Sequence, residues 1–97
     1  MAEFRFGFTA EAKKDFDFFS ARERSIIAAK LKEQLAAEPL KETRNRKKLR
    51  ENRLAPWELR IGEFRIFYQV EDNIITIVAV GCKENNKLLI RGKEVEL

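Results

Sequence analysis

The sequence predicts an α+β fold in which an N-terminal strand and a two-helix hairpin precede an antiparallel meander packed on the helices. Three patterns carry this expectation. Phe4, Phe6 and Phe8 alternate with Glu3, Arg5 and Gly7, which is the period of a strand with one buried face. Two helical segments with recognisable starts follow. After residue 53 the pattern changes to strands separated by tight-turn residues.

Thr9 suits the N-cap of the first helix, where Ala12, Phe16 and Phe19 recur at helical spacing and Lys13, Lys14, Asp15 and Asp17 form the wet side. Ser20-Ala21-Arg22-Glu23 is a capping box. It opens a second helix through Ile27, Leu31 and Leu35 that must stop before Pro39. The phenylalanines keep strict periodicity, which assigns them to core packing ahead of a base-stacking platform. Strands are expected over 54–61, 63–71 and 74–81. Gly62 would be the first central residue of a type II′ turn, and Asp72-Asn73 suits the next one. Residues 83–97 read as a C-terminal edge element whose type the pattern leaves open.

The 97 residues are expected to form one domain, 1–97, large enough to close a core without disulfides or metals. The lone Cys82 has no internal partner and no run is long enough to span a membrane, so the expected location is the cytoplasm. With no histidine, the commonest near-neutral base and the commonest zinc ligand are both missing. Catalysis would run on Arg, Lys, carboxylate or Tyr, with no cofactor and no metal.

The net charge of +4 is concentrated in one segment: between 41 and 53 stand Lys41, Arg44, Arg46, Lys47, Lys48, Arg50 and Arg53 against Glu42 and Glu51. Alone, such a run is a solvated loop. With a second basic feature elsewhere it becomes a candidate RNA-binding arm, because a concentrated field on a nearly neutral body attracts a polyanion.

The strand register supplies that second feature. A Gly62-Glu63 turn pairs Ile61 with Phe64, Arg60 with Arg65, Leu59 with Ile66, Glu58 with Phe67 and Trp57 with Tyr68. Trp57, Leu59, Ile61, Phe64, Ile66, Tyr68 and Val70 then face the helices. Glu58, Arg60, Arg65, Phe67 and Gln69 take the other face, with Arg65 expected opposite Val80 and Phe67 opposite Val78. Like charges directly across a strand pair cost up to about 1 kcal/mol. An anion between Arg60 and Arg65 turns that repulsion into a clamp, and paired guanidinium forks suit phosphate. The alternative is that each arginine pairs with Glu58 or Glu63. Phe67, Val78 and Val80 form an expected apolar patch on this face that marks a partner's docking surface.

The segment Trp57-Glu58-Leu59-Arg60-Ile61-Gly62-Glu63-Phe64-Arg65-Ile66-Phe67-Tyr68 resembles the central hairpin of the RelE/ParE superfamily of type II toxin–antitoxin toxins. Lys48-Leu49, the run Val78 to Lys83 and the element order agree, so the resemblance covers nearly the whole chain. It implies a toxin held inactive by an antitoxin whose helix or strand would cover Phe67, Val78, Val80 and the arginines. In the RelE-like branch, the one favoured, the toxin is an endoribonuclease that cuts mRNA in the ribosomal A site. Its metal-independent reaction has the 2′-hydroxyl attack the adjacent phosphate to leave a 2′,3′-cyclic phosphate. By position, Arg65 matches the catalytic arginine, Arg60 a basic neighbour and Lys83 a second basic catalytic group. Glu58 is the candidate base because the register puts it on the arginine face. Three positions depart from the pattern: Cys82 stands where a histidine or other basic residue is common, Leu89 lies near the catalytic tyrosine's place, and Glu58 replaces a lysine of some members. A ParE-like inhibitor of DNA gyrase or a catalytically degenerate relative is the alternative, and a plain RNA-binding module the third.

Overall fold

The structure, a computed structural model, describes residues 4–36 and 38–96; Glu3 of the alternating pattern lies outside the described residues. The chain runs β1 (Arg5–Phe8), α1 (Ala10–Asp17), α2 (Ala21–Leu35), β2 (Arg46–Lys48), β3 (Trp57–Ile61), β4 (Phe64–Glu71), β5 (Ile74–Glu84), β6 (Lys87–Ile90) and β7 (Lys93–Glu94). The expected α+β class is what forms, with both helices against one sheet. Thr9 caps α1 by accepting from the Ala12 N–H, and Ser20 with Glu23 closes both halves of the capping box on α2. Helix α2 ends at Leu35, ahead of Pro39, as the sequence requires.

Strands β2 to β7 pair in chain order, and all of these pairings are antiparallel. Strand β1 instead lies parallel on β5, from Arg5 opposite Ile74 to Phe8 opposite Ile77. Strand β6 takes the same edge of β5 further along, from Cys82 to Glu84. The tight turns at Asp72-Asn73, Asn85-Asn86 and Arg91-Gly92 all hold both central residues at positive φ, the type I′ geometry that matches strand twist. The residues after 83, left open by the sequence, are thus the end of β5 and the β6–β7 hairpin.

Between the two strands that share its edge, β5 leaves a gap, and helix α1 fills it. The Thr9 N–H donates to the Ile77 carbonyl at 3.0 Å and the Val80 N–H donates to Asp15 Oδ2 at 3.2 Å. Asp15 is therefore a buried residue, 2% exposed, and not part of the wet side of α1. Arg91 Nε stands 2.9 Å from its other oxygen, tying the β6–β7 turn to α1. Burial drives the Asp15 carboxyl above its ordinary range, more than the Val80 N–H and Arg91 lower it. A folded-state pKa above the unfolded one means the native protein holds the proton longer, so stability falls as pH rises above about 3.8. Asp15→Asn, which keeps the acceptor for Val80, is expected to match or exceed the parent in urea unfolding at pH 7, with the difference vanishing toward pH 4. Asp15→Ala orphans the Val80 N–H and is expected to lose about 1–3 kcal/mol at both.

Two apolar cores flank the sheet. The larger joins Ala12, Phe19, Ile27, Leu31 and Leu35 of the helical side to Trp57, Leu59, Ile61, Ile66, Tyr68, Ile75, Ile77 and Val80. The second, on the face expected to be open, buries Phe67 completely among Ala55, Ala79 and Leu88, with Leu49, Leu54, Val78, Ile90 and Val95 around them. The loop that seals it is held by Asn52. Its Oδ1 accepts from the Leu54 and Ala55 N–H groups at 2.7 and 3.1 Å, while Nδ2 donates to the carbonyls of Arg50 and Ala55.

Candidate active site

Glycine 62 sits at φ +57 with no close neighbour, the conformation that a glycine-first hairpin turn demands. The expected β3–β4 register forms in full, from Trp57 opposite Tyr68 to Ile61 opposite Phe64, with Arg60 facing Arg65. The Arg60 N–H donates away from β4, to the Asn45 carbonyl at 2.8 Å. This makes Arg60 and Arg65 a non-hydrogen-bonded pair, the closer of the two spacings in an antiparallel ladder.

The register beyond Phe67 differs from expectation. Arg65 lies opposite Gly81, Ile66 opposite Val80 and Phe67 opposite Ala79, and the pairing then jumps so that Tyr68 faces Ile77. Val78 is the extra residue of a β-bulge, which puts Val78 and Ala79 consecutively on one face and turns Val80 into the helix-side core. The three residues assigned to an antitoxin surface therefore do not form one. Phe67 and Val80 are fully buried, on opposite faces of the sheet, and Val78 packs beneath the second core.

Each arginine of the facing pair is individually held. Arg60 Nε donates to Glu58 Oε1 at 2.9 Å, and Glu58 is only 5% exposed. Arg65 Nη1 donates to the carbonyls of Gly62 and Phe64 at 2.8 and 2.9 Å, while its buried Nε has no partner among the described residues. Repulsion across the ladder is thus relieved by a carboxylate on one side and turn carbonyls on the other. Lys83, two residues past Gly81 on β5, has the strand parity of Arg65, and its N–H donates to the Glu63 carbonyl at 2.8 Å. Arg60, Arg65, Lys83 and Glu58 are brought to one face and one end of the sheet.

The basic segment is divided by strand β2, which a run of three polar residues did not announce. Lys47 lies opposite Glu58 and joins the arginine face. Arg46, opposite Leu59, points to the helical side, is 9% exposed and donates to the Glu38 carbonyl and Thr43 Oγ1. It is a structural residue and is withdrawn from the RNA-binding set. Lys48 is exposed on that same side, Lys41 pairs with Glu38 at 3.6 Å, and Arg44, Arg50 and Arg53 are exposed. Two groups missed from the sequence are Lys30 and Asn45, which line a cleft of about 190 Å³ with Arg60 and Gly62. Their only sequence signal was a lysine on the polar face of α2. Tyr68, the chain's only tyrosine, is buried and donates to the Pro39 carbonyl at 2.6 Å; burial raises its hydroxyl far above the ordinary value. It pins the loop after α2 and does not reach the arginine face.

Sheet order, paired helices and a hairpin carrying facing arginines define the class of small toxins with the RelE/ParE fold. The family described as the ParE toxin of type II toxin–antitoxin systems, parDE, matches residues 7–86, and the chain belongs to that family. Among solved structures it is similar to the toxin–antitoxin complex RelBE2 from Mycobacterium tuberculosis, at 24% identity, covering 84% of this chain and 100% of that one, with a TM-score of 0.71. The YoeB dimer of Staphylococcus aureus is similar at 26% identity over 87% of this chain and 99% of that one, with a TM-score of 0.63. Comparison with curated proteins gives no match. No described helix is long and apolar enough to cross a membrane.

Proposed function

We propose that this toxin acts in the cytoplasm as a metal-independent endoribonuclease on mRNA in the ribosomal A site, and that a cognate antitoxin restrains it. One observation carries the reading: three cations, Arg60, Arg65 and Lys83, share a sheet face with a carboxylate, Glu58. In the reaction the 2′-oxygen bonds to phosphorus and the bond from phosphorus to the 5′-oxygen breaks. The extra charge falls on the non-bridging oxygens. Arg65 through Nη2 and Arg60 through its Nη groups, none of which bonds another described residue, are the donors for that charge. Glu58 takes the 2′-proton on Oε2, since Oε1 is held by Arg60. Lys83 is the candidate proton donor to the leaving 5′-oxygen. Lys47 and the exposed cations Lys41, Arg44, Lys48, Arg50 and Arg53 supply the field that gathers RNA.

Glu58→Gln is expected to slow cleavage about 10²–10⁴-fold while leaving RNA affinity largely intact, measured by primer extension and by filter binding. Unchanged cleavage removes Glu58 from the mechanism.

A second reading, inhibition of DNA gyrase, is favoured by the substituents on β5 and β6. Cys82 pairs with Leu89, so neither the basic residue nor the tyrosine of RelE-like enzymes is present there. Controlled induction separates the two: loss of translation with intact DNA supports mRNA cleavage, and DNA damage with filamentation supports gyrase.

A further inference from the structure

On the helical side of the same sheet end lies a groove of about 370 Å³, lined by Phe19, Phe64 and Cys82 with Glu23, Glu63, Glu84 and Lys83 around them. Phe19 and Phe64 meet edge to face, ring centroids 5.4 Å apart, and form its apolar floor. The three carboxylates come from separate elements: α2, the Gly62-Glu63 turn and the end of β5. Among the described residues none of the three has a cation within ion-pair distance. All three act on the Cys82 thiol, which burial and these charges push above its ordinary range. With three carboxylates against the single cation Lys83, the rim is locally acidic on a chain of net charge +4.

We propose that this groove is a docking site for the antitoxin, taking a large apolar side chain flanked by lysine or arginine. The inference rests on the reading above that an antitoxin restrains the chain. An acid-rimmed groove repels RNA and attracts a cationic segment, and its apolar floor requires an anchor that a lone cation does not supply. A second copy of this chain fits poorly. Its densest cationic patch, Arg44, Lys47, Lys48, Arg50 and Arg53, lies in and around β2, three strands from β5 in the sheet order, and a contact between two such separated patches does not close as a pair. The site also reaches the arginine face through the backbone. Glu63 belongs to the groove while its carbonyl accepts from Lys83, and the adjacent Gly62 carbonyl accepts from Arg65. An occupant therefore fixes the turn whose carbonyls hold the Lys83 backbone and the Arg65 side chain, without itself lying on the arginines.

Cys82 is the only thiol in the chain and reports directly on occupancy. The toxin is co-expressed with the product of the neighbouring reading frame, and the complex is treated with N-ethylmaleimide, following the mass of the toxin chain. Free toxin is prepared as the Arg65→Ala variant. Labelling of Cys82 is expected to slow at least about tenfold in the complex. The double reversal Glu63→Lys with Glu84→Lys is expected to weaken the complex about tenfold or more at low salt, against less than about twofold for Glu71→Lys at the far end of β4. A stable complex in which Cys82 labels as fast as in the free protein overturns the groove assignment and leaves the toxin–antitoxin reading standing. A neighbouring product that forms no complex overturns both. Protection of the free protein that grows with its concentration makes a second copy the occupant and overturns the proposal.

Discussion

Arg65→Ala is expected to abolish mRNA cutting on induction, with a fall of about a hundredfold or more in cleavage rate, the usual cost of removing one preorganised donor to a developing oxyanion. The residue lies on the central strand, its guanidinium is anchored at one nitrogen by two turn carbonyls, and its Nε is buried and unsatisfied among the described residues. Arg65→Lys keeps a charge and loses the fork, so it should recover only a small part of the rate. Because Nη1 also braces the Gly62 turn, the melting temperature of each variant is measured alongside. A loss of cutting with a melt within a few degrees of the parent assigns the effect to chemistry. Cutting at the parental rate by the Ala variant removes Arg65 from the mechanism, and with it the clamp.

The largest effect on stability is expected at Gly81. A Cβ placed there would lie 2.5 Å from the Leu89 carbonyl oxygen and 3.0 Å from Ile90 Cγ1, so backbone of β6 must move to admit even a methyl group. Strand β6 supplies Leu88 to the second core, and Gly81 itself faces Arg65 across the ladder. Gly81→Ala is thus expected to cost roughly 3 kcal/mol, the upper range for overpacking, and to lower the melting temperature by more than about 10 °C. Gly7→Ala makes the control: nothing lies within 4 Å of its Cβ, so the change should stay within about 0.5 kcal/mol. Equal melting of the two variants would show that β6 yields freely.

The β3–β4 hairpin was legible because two independent signals agreed on it. A glycine at a forced turn position set the register, and alternation from Trp57 to Val70 had only one consistent face. The helix starts were legible for a similar local reason, since a capping box is complete within four residues. What escaped depended on distant partners. Val78-Ala79-Val80 is apolar in either register, so no pattern revealed the bulge that rotates Val80 inward. Asp15 on a charged helix reads as solvated, and its partner is the Val80 N–H, 65 residues away. Phe67 read as an exposed patch because its cover comes from Leu49, Leu54 and Val95, which lie outside β3, β4 and β5.

For the candidate site, strand parity placed Arg60, Arg65 and Glu58 together, and position within the superfamily motif added Lys83. Composition misled for Arg46. A basic run assigns every member to solvent until pairing decides which side each one takes, and pairing with Leu59 sends this arginine inward.

The edge of β5 shared by β1 and β6 also sets when the toxin can become armed. Thr9 and Val78, which meet there, are 69 residues apart in the chain, so docking of β1 and α1 on β5 depends on contacts of high sequence separation, the slow kind to form. A nascent chain that has just acquired Arg65 lacks β5, β6 and most of β4, so no sheet yet holds either arginine. At roughly 5–20 residues per second, translation needs about one to five seconds more to reach the end of β6. During that interval Arg60, Arg65 and Lys83 are not yet held on one sheet face.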